Sequence, residues 1–313
     1  MATILITGGT GLIGTALSKL LTEKGHDVII LTRDPTTNDK PQTANISYAQ
    51  WDIKNQTIDA SAVQRADHII HLAGANVAGK RWNAKRKKEI VESRTQSAAL
   101  IVKALKENTN KVRSVISASG IGWYGPDTPE STKRGGFTET DPAAEDFLGQ
   151  TCAQWEAAIE PVTALGKRLV KLRTGIVLDN AGGALKEFKK PLYAGVAAIL
   201  GNGKQVISWI HIQDICRLYL YALENEQVKG AYNAAAHQTL TNRAFILELA
   251  KKMRGTFFLP VYVPSFALKI ALGEMSIEVL KSATVNNEKV RHAGFKFLYP
   301  TLEAALNQLQ SSD

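Results

Sequence analysis

The sequence predicts an α/β fold, a doubly wound parallel sheet with a smaller, mostly helical C-terminal domain. Three observations carry this. Short apolar runs alternate with amphipathic stretches through the first half, the pattern of buried parallel strands with helices on both faces. The first run, TILIT, passes straight into a glycine-spaced turn and then a helical pattern. After residue 178 the rhythm gives way to loop material, DNAGGA and GNGKQ, and then to helical periodicity.

In chain order, strands are expected at 3–7, 27–32, 45–51, 68–74, 112–119 and 168–178, each a compact apolar run. Helices are expected between them, including 12–23, 84–106 and 149–165. The polar stretch 125–146 reads as one long loop, a length that in a compact domain tends to be functional. Residues 201–236 return to the main sheet. Residues 242–313 read as helical apart from one strand, TFFLPVYV. The expected domains are therefore 1–178 plus about 201–236, and about 179–200 plus 237–313.

Composition bounds the function. With 313 residues, 44% of them hydrophobic, the chain can bury a large core. Lys plus Arg exceed Asp plus Glu by 38 to 29, and the resulting +9 suits an anionic small ligand. No nucleic-acid motif accompanies that charge, so no nucleic-acid partner is expected. Cys152 and Cys216 stand far apart and form no CxxC, which gives neither a disulfide framework nor a metal site. The longest apolar run, PLYAGVAAIL, is about half a membrane span, and no signal-peptide pattern precedes the first strand. A cytoplasmic protein with no membrane partner is expected.

The turn is Gly8-x-x-Gly11-x-x-Gly14, directly after one strand and directly before one helix. Gly8 permits the tight turn, Gly11 lets backbone approach a diphosphate, and Gly14 lets the helix pack close to the strand. The first-turn N–H groups of Leu12 and Ile13 then face the phosphates along with the helix dipole. In this context the motif predicts a Rossmann-type dinucleotide site. A chain selective for NAD would place Asp or Glu after the second strand; here stand Thr32 and Arg33. Arginine cannot accept bonds from ribose hydroxyls but can clamp a 2′-phosphate in two places, so NADP(H) is the expected cofactor. Asp34 follows, with Pro35 turning the chain away. Asp52, ending the third strand, is either an adenine contact or a turn residue. HLAGAN at 71–76 supplies small residues, Ala73 and Gly74 among them, where the backbone passes the cofactor.

TGGTGLIG resembles the glycine pattern of the extended short-chain dehydrogenase/reductase superfamily. KRWNAKRKKEIVESR (80–94), SASGIGWYG (117–125), LRTGIVL (172–178), GNGKQVISWIHIQDI (201–215) and the tail NNEKVRHAGFKFLYPTLEAAL narrow this. They resemble its NAD(P)-dependent "epimerase family" branch with a C-terminal domain of unknown function, over nearly the whole chain. The resemblance implies NADP(H) held by Thr32, Arg33, Leu72 and Ala73, with Glu89 and Arg94 of KEIVESR as further contacts. It also implies a small-molecule substrate, which the sequence does not name, and a homodimer through the helices at 84–106 and 149–165. Plant and cyanobacterial members are linked to cell or plastid division, so a regulator or scaffold is the alternative. Lys85, Arg86, Lys87 and Lys88 read as a solvated basic face.

Active relatives use a tyrosine as proton donor or acceptor and a lysine four residues later. Aligned on WEAA, those places hold Leu148 and Cys152, with Glu156 four residues on. No Tyr or Lys occurs between Lys133 and Lys167. The expectation is therefore an oxidoreductase or epimerase-like protein lacking the pair. Ser119 is the best match to the oxygen-bonding serine, with Ser117 beside the cofactor. Tyr124 is the candidate substitute acid. Arg173 ends a strand toward the same cleft and would contact the cofactor or an anionic substrate; the alternative for it is an ion pair. Asp214 reads as a helix N-cap and His211 as a packed strand residue.

Overall fold

In strand β1 (Thr3–Thr7), pleat alternation sends Ile4 and Ile6 to one face and Leu5 to the other, and all three are buried. Both faces of the sheet are therefore covered, as the apolar run requires. The computed structural model describes residues 1–34 and 45–311. Pro35 lies outside them.

The chain runs β1, α1 (Leu12–Glu23), β2 (Asp27–Thr32), β3 (Ile46–Asp52), β4 (Thr57–Ile58), α2 (Ala60–Arg65), β5 (His68–His71) and α3 (Ala84–Glu107). It continues β6 (Ser114–Gly120), α4 (Pro129–Lys133), α5 (Phe147–Ile159), β7 (Arg168–Thr174), β8 (Ile176–Leu178), α6 (Gly183–Tyr193), β9 (Val196–Leu200), β10 (Val206–Ile207) and β11 (Trp209–His211). The last third holds α7 (Ile212–Glu224), β12 (Gly230–Ala234), β13 (Leu240–Thr241), α8 (Asn242–Arg254), β14 (Leu259–Val263), α9 (Ser265–Leu272), α10 (Ser276–Leu280), α11 (Glu288–His292) and α12 (Leu302–Ser311).

The main sheet has the order β12-β7-β6-β5-β1-β2-β3-β4, parallel except for the short β3–β4 hairpin. Ile4 and Ile6 meet Leu17 and Leu21 of α1 and Ile215 and Tyr219 of α7 on one face. Leu5 and Ile69 meet Val63 of α2, Ile101 of α3 and Trp155 of α5 on the other. Beyond the sheet, α6, α8 and α12 enclose a third core around Ile199, Trp209 and Phe245. Three two-stranded ribbons border it: β8 with β11, β9 with β14, and β10 with β13. Ile207 and Trp209 belong to this core while Ile210 and Ile212 belong to the main one, so the seam between the two bodies falls at 207–210, inside the segment read as returning to the sheet.

Several boundaries differ from expectation. The strand expected at 168–178 breaks at Gly175 into β7, in the main sheet, and β8, which pairs with β11 outside it. The strand begun at His68 stops at His71, leaving Leu72–Gly74 as a loop that bends past the β1 turn. The helix expected at 149–165 starts at Phe147, because Asp146 caps it by accepting from Gly149 N–H (2.7 Å). It ends at Ile159, and a 3₁₀ turn carrying Pro161 follows. The loop at 125–146 contains α4, opened by a Thr128/Ser131 capping box, and Phe137 pairs with Val285 across to the C-terminal body.

Candidate cofactor cleft and the end of the sixth strand

Strand order reverses between β1 and β5, so their carboxyl ends open a crevice, the place where open α/β sheets take ligands. The glycine turn lies there. Gly8 has φ +70, and a Cβ on it would meet the Leu72 carbonyl carbon at 2.9 Å. A Cβ on Gly14 would lie 2.6 Å from Gly9 Cα, which is why α1 can pack against the turn only with glycine there. Gly11 differs: its Cβ would meet only Gly8 O, at 3.3 Å, so the space before it is open. Gly11 is the N-cap of α1, with no side-chain cap and no acidic residue in the first turn. The N–H groups of Leu12 and Ile13 thus stand at an uncapped, positive helix end.

A lock not foreseen from the sequence holds β1 to β5. The Thr7 hydroxyl oxygen accepts from the N–H groups of Leu72 (3.1 Å) and Ala73 (3.2 Å) and lies 2.8 Å from His71 Nδ1. With both N–H groups donating to it, Thr7 gives its one proton to Nδ1. His71 therefore carries its proton on Nε2, facing Ser97 Oγ at 3.4 Å. Burial, with the Arg94 charge behind it, holds His71 down to about 3, so the ring is neutral.

Arg94 stands behind this loop. Its guanidinium carbon is 3.0 Å from where a Gly74 Cβ would sit, it donates to Ala75 O (3.0 Å), and it stacks on Trp155. Glu89 is exposed and paired with Arg86 at 2.7 Å. The expected solvated face holds for Lys85 and Lys88, both exposed, and is corrected at the two residues between them. Arg86 is buried and donates to Asn76 O, while Lys87 pairs with Glu274 of the C-terminal body and covers the Phe147 ring.

Thr32 ends β2 and Arg33 follows it, exposed. Asp52 takes the turn role: its Oδ1 accepts from the N–H groups of Lys54 (2.8 Å) and Asn55 (3.1 Å), and these bonds hold its carboxyl below the usual range.

At the end of β6 the candidates meet, but in a closed network. Ser119 donates to Glu156 Oε1 at 2.8 Å. Arg173, 3% exposed, donates to both Glu156 oxygens (2.8 and 3.1 Å), to Tyr124 Oη (3.0 Å) and to Glu139 O (3.2 Å), and stacks on Trp123. Tyr124, wholly buried, donates to Asn233 Oδ1 at 2.8 Å, and burial pushes its phenol up to about 12. Arg173 as a cofactor contact is thus corrected to a buried ion pair. Tyr124 as a substitute acid meets the same objection, since it has no open face toward a substrate. Ser117 is buried, is the register partner of His71 across β5 and β6, and donates to Ala118 O. His211, not Asp214, caps α7, its Nδ1 accepting from Gln213 N–H. Asp214 instead accepts from the N–H groups of Leu298 and Tyr299.

Leu148 and Cys152 lie on one stripe of α5 facing the loop after β6. Leu148 Cβ comes within 3.1 Å of where a Gly122 Cβ would sit, and Cys152 donates its S–H to Gly120 O at 3.6 Å. Burial pushes this thiol up to about 11, so it stays protonated at neutral pH.

Residues 4–146 match the NAD dependent epimerase/dehydratase family, and residues 263–309 match a domain of unknown function. An epimerase family protein of Staphylococcus saprophyticus is 34% identical over 97% of this chain and 98% of its own length. The chain belongs to the NAD dependent epimerase/dehydratase family. YfhF, an epimerase family protein of Bacillus subtilis, is likewise 34% identical, over 98% of this chain and 97% of its own. Among solved structures, human epimerase family protein SDR39U1 with NADPH superposes with TM-score 0.84 at 28% identity, over 99% of this chain and 100% of that one. UDP-glucose 4-epimerase of Thermus thermophilus with NAD, at 17% identity and TM-score 0.76, shares the fold over 99% of this chain and all of its own. This epimerase family chain is thus an NAD(P)-binding, Rossmann-type protein. No helix among its described residues is long and apolar enough to cross a membrane, and no group of three or more His, Cys, Asp or Glu among them could hold a metal.

Proposed function

We propose that this chain is an NADP(H)-binding oxidoreductase or epimerase-like protein that works without the Tyr-x-x-x-Lys pair. The observation carrying the reading is the uncapped first turn of α1, open before Gly11 at the switch point, with Arg33 exposed at the end of the neighbouring strand. This donor set fits a dinucleotide. The backbone N–H groups of Leu12 and Ile13 would take the diphosphate, with Gly11, whose own N–H is held by Gly8 O, leaving room for it, and Thr32 and Arg33 would take the 2′-phosphate. Leu72, Ala73 and Gly74 would line the cofactor, with Ser117 deeper in the cleft. Arg94 acts from behind Gly74 as a brace. Glu89 and Asp52 stay in the proposal only as outer contacts, given their occupation by Arg86 and by the β3–β4 turn. That a 28% identical relative was solved with NADPH supports the choice of NADP(H).

When bound, NADP(H) would supply hydride transfer to or from a substrate carbon. Leu148 and the neutral Cys152 wall the nicotinamide end and exclude water. Ser119 keeps its lone pairs for a substrate donor, while its own proton is held by Glu156. The second reading is a catalytically silent NADP(H)-binding regulator or scaffold linked to cell division, and the closed state of Ser119 and Tyr124 favours it. A homodimer through the outer faces of α3 and α5, and a cytoplasmic location, belong to the same proposal.

Calorimetric titration of NADPH and NADH into wild type and Arg33→Ala tests it. Wild type should prefer NADPH by tenfold or more, and the variant should lose that preference. Equal binding of both by wild type removes the reading. NADPH oxidation across carbonyl compounds then separates enzyme from regulator.

A further inference from the structure

The stretch from Phe257 to Ile277 leaves its apolar side chains in solvent. Phe257, Leu259, Tyr262, Phe266, Ile270 and Ile277 are all exposed, Phe257 by 82% and Ile270 by 70%. Tyr193 joins them: Gly195 sits beside both Phe257 O and the Arg254 guanidinium, which brings the end of α6 to the same place. In the β9–β14 ribbon, Leu259 and Val261 share one face with Val196, Ala198 and Leu200, none of them buried. Eight of the ten large hydrophobic side chains exposed among the described residues fall in this stretch or at Tyr193, where an ordinary monomer scatters such residues singly.

Charge indicates what covers it. Lys251, Lys252 and Arg254 end α8 at one edge of the patch, and Lys269 stands within α9; all four are exposed. The acidic groups of the stretch are neutralised, Glu274 by Lys87 and Glu278 by Lys281. The rim is therefore cationic around an aromatic and aliphatic centre. A second copy would bring two cationic rims together. Strand addition at the ribbon edge is also weakened. Leu259 N–H is spent on Gly195 O, so the next position, Pro260, faces the open edge with no N–H to give.

We propose that this face docks on an anionic lipid surface, with the aromatic and aliphatic side chains in the acyl boundary and the lysines and arginine among the headgroups. That composition is the one interfacial membrane binders use, and an anionic leaflet supplies the complementary charge. The inference is independent of which reaction the cleft performs.

Flotation of the full chain with extruded vesicles tests it. Vesicles of phosphatidylcholine with 30% phosphatidylglycerol should bind at least tenfold more protein than phosphatidylcholine alone, on the strength of the rim charges. Phe257→Ser/Phe266→Ser/Ile270→Ser and, separately, Lys251→Glu/Lys252→Glu/Arg254→Glu should each cut that binding at least tenfold. Cooperative melting serves as the control for folding. Equal binding to both vesicles, or binding that neither variant alters, overturns the proposal. So does a wild-type dimer that the apolar variant converts to monomer, which would give the face to a second copy.

Discussion

Replacing Glu156 by glutamine keeps the shape of the side chain and removes one charge from a site with almost no water. In the native chain the carboxylate takes two donors from Arg173, at 2.8 and 3.1 Å, and one from Ser119 at 2.8 Å. Lys171 also approaches it at 3.7 Å but has Glu160 at 2.7 Å as its nearer partner. The uncompensated charge in Glu156→Gln is therefore that of Arg173. Removing one partner of a buried pair costs about 3–5 kcal/mol, and glutamine retains one acceptor, so about 3 kcal/mol is expected, or roughly 6–10 °C in Tm. Differential scanning calorimetry of wild type, Glu156→Gln, Arg173→Met and the double variant measures this, and the double variant should recover part of the loss. NADPH affinity should change less than about threefold, because the pair braces the loop after β6 and does not reach the ligand. If Glu156→Gln melts with wild type and loses affinity tenfold, Arg173 contacts the cofactor and the account of this network is wrong.

Gly11→Val should keep a cooperative melt yet abolish dinucleotide binding by calorimetry, since its side chain enters only the space before the turn; retained affinity would move the site elsewhere. Leu148→Ala should cost about 1–2 kcal/mol in urea unfolding, less than a fully buried leucine because the side chain is half-buried on the Gly122 loop, and Cys152→Ser less, with neither change decisive for turnover. His71 should make the fold acid-sensitive. Its folded value is depressed to about 3 by burial while the unfolded ring titrates near 6.5, so the unfolded chain binds a proton that the folded chain refuses. Stability should fall by up to ~1.4 kcal/mol per pH unit from about pH 6.5 downward, a slope read from urea unfolding at pH 7 and 5 that His71→Gln should lessen.

Six of the eight strands of the main sheet could be read from the sequence because each is a short, mostly apolar run, while β4 and β12 are not and could not be placed individually; the glycine turn could be read because its three requirements fall within seven consecutive residues. The network at the end of β6 could not. Ser119 and Tyr124, Glu156, Arg173 and Asn233 come from four separated segments, and no local pattern says which pairs meet. Arg173 was visible as a charged residue in a buried strand, and an ion pair was the alternative weighed for it; its partner was not visible. KRKK likewise gives no sign of which side chain turns inward. Arg86 does so because Asn83 caps α3 and sets its phase toward the 76–79 loop. His71 was legible in principle, as a polar residue inside HIIHLAG, whose burial demands a partner.

In the reading proposed above, a chain without the Tyr–Lys pair must handle protons and charge in another way. Hydride transfer to a carbonyl leaves an oxyanion, which needs a proton or a positive field. In that reading Cys152, whose thiol burial keeps neutral, stands in the place of the lysine, and Leu148 in that of the tyrosine. The strongest cation nearby, Arg173, is spent on Glu156. Electrostatic help for an oxyanion must therefore come from Arg94, whose guanidinium lies behind Gly74 and whose charge is felt at Cys152, or from the substrate itself. A substrate carrying its own acidic proton would suit such a site better than a simple ketone. Screening NADPH oxidation should therefore begin with hydroxylated or carboxylated carbonyl compounds. Turnover of simple ketones at equal rates would show that the protein supplies the proton after all.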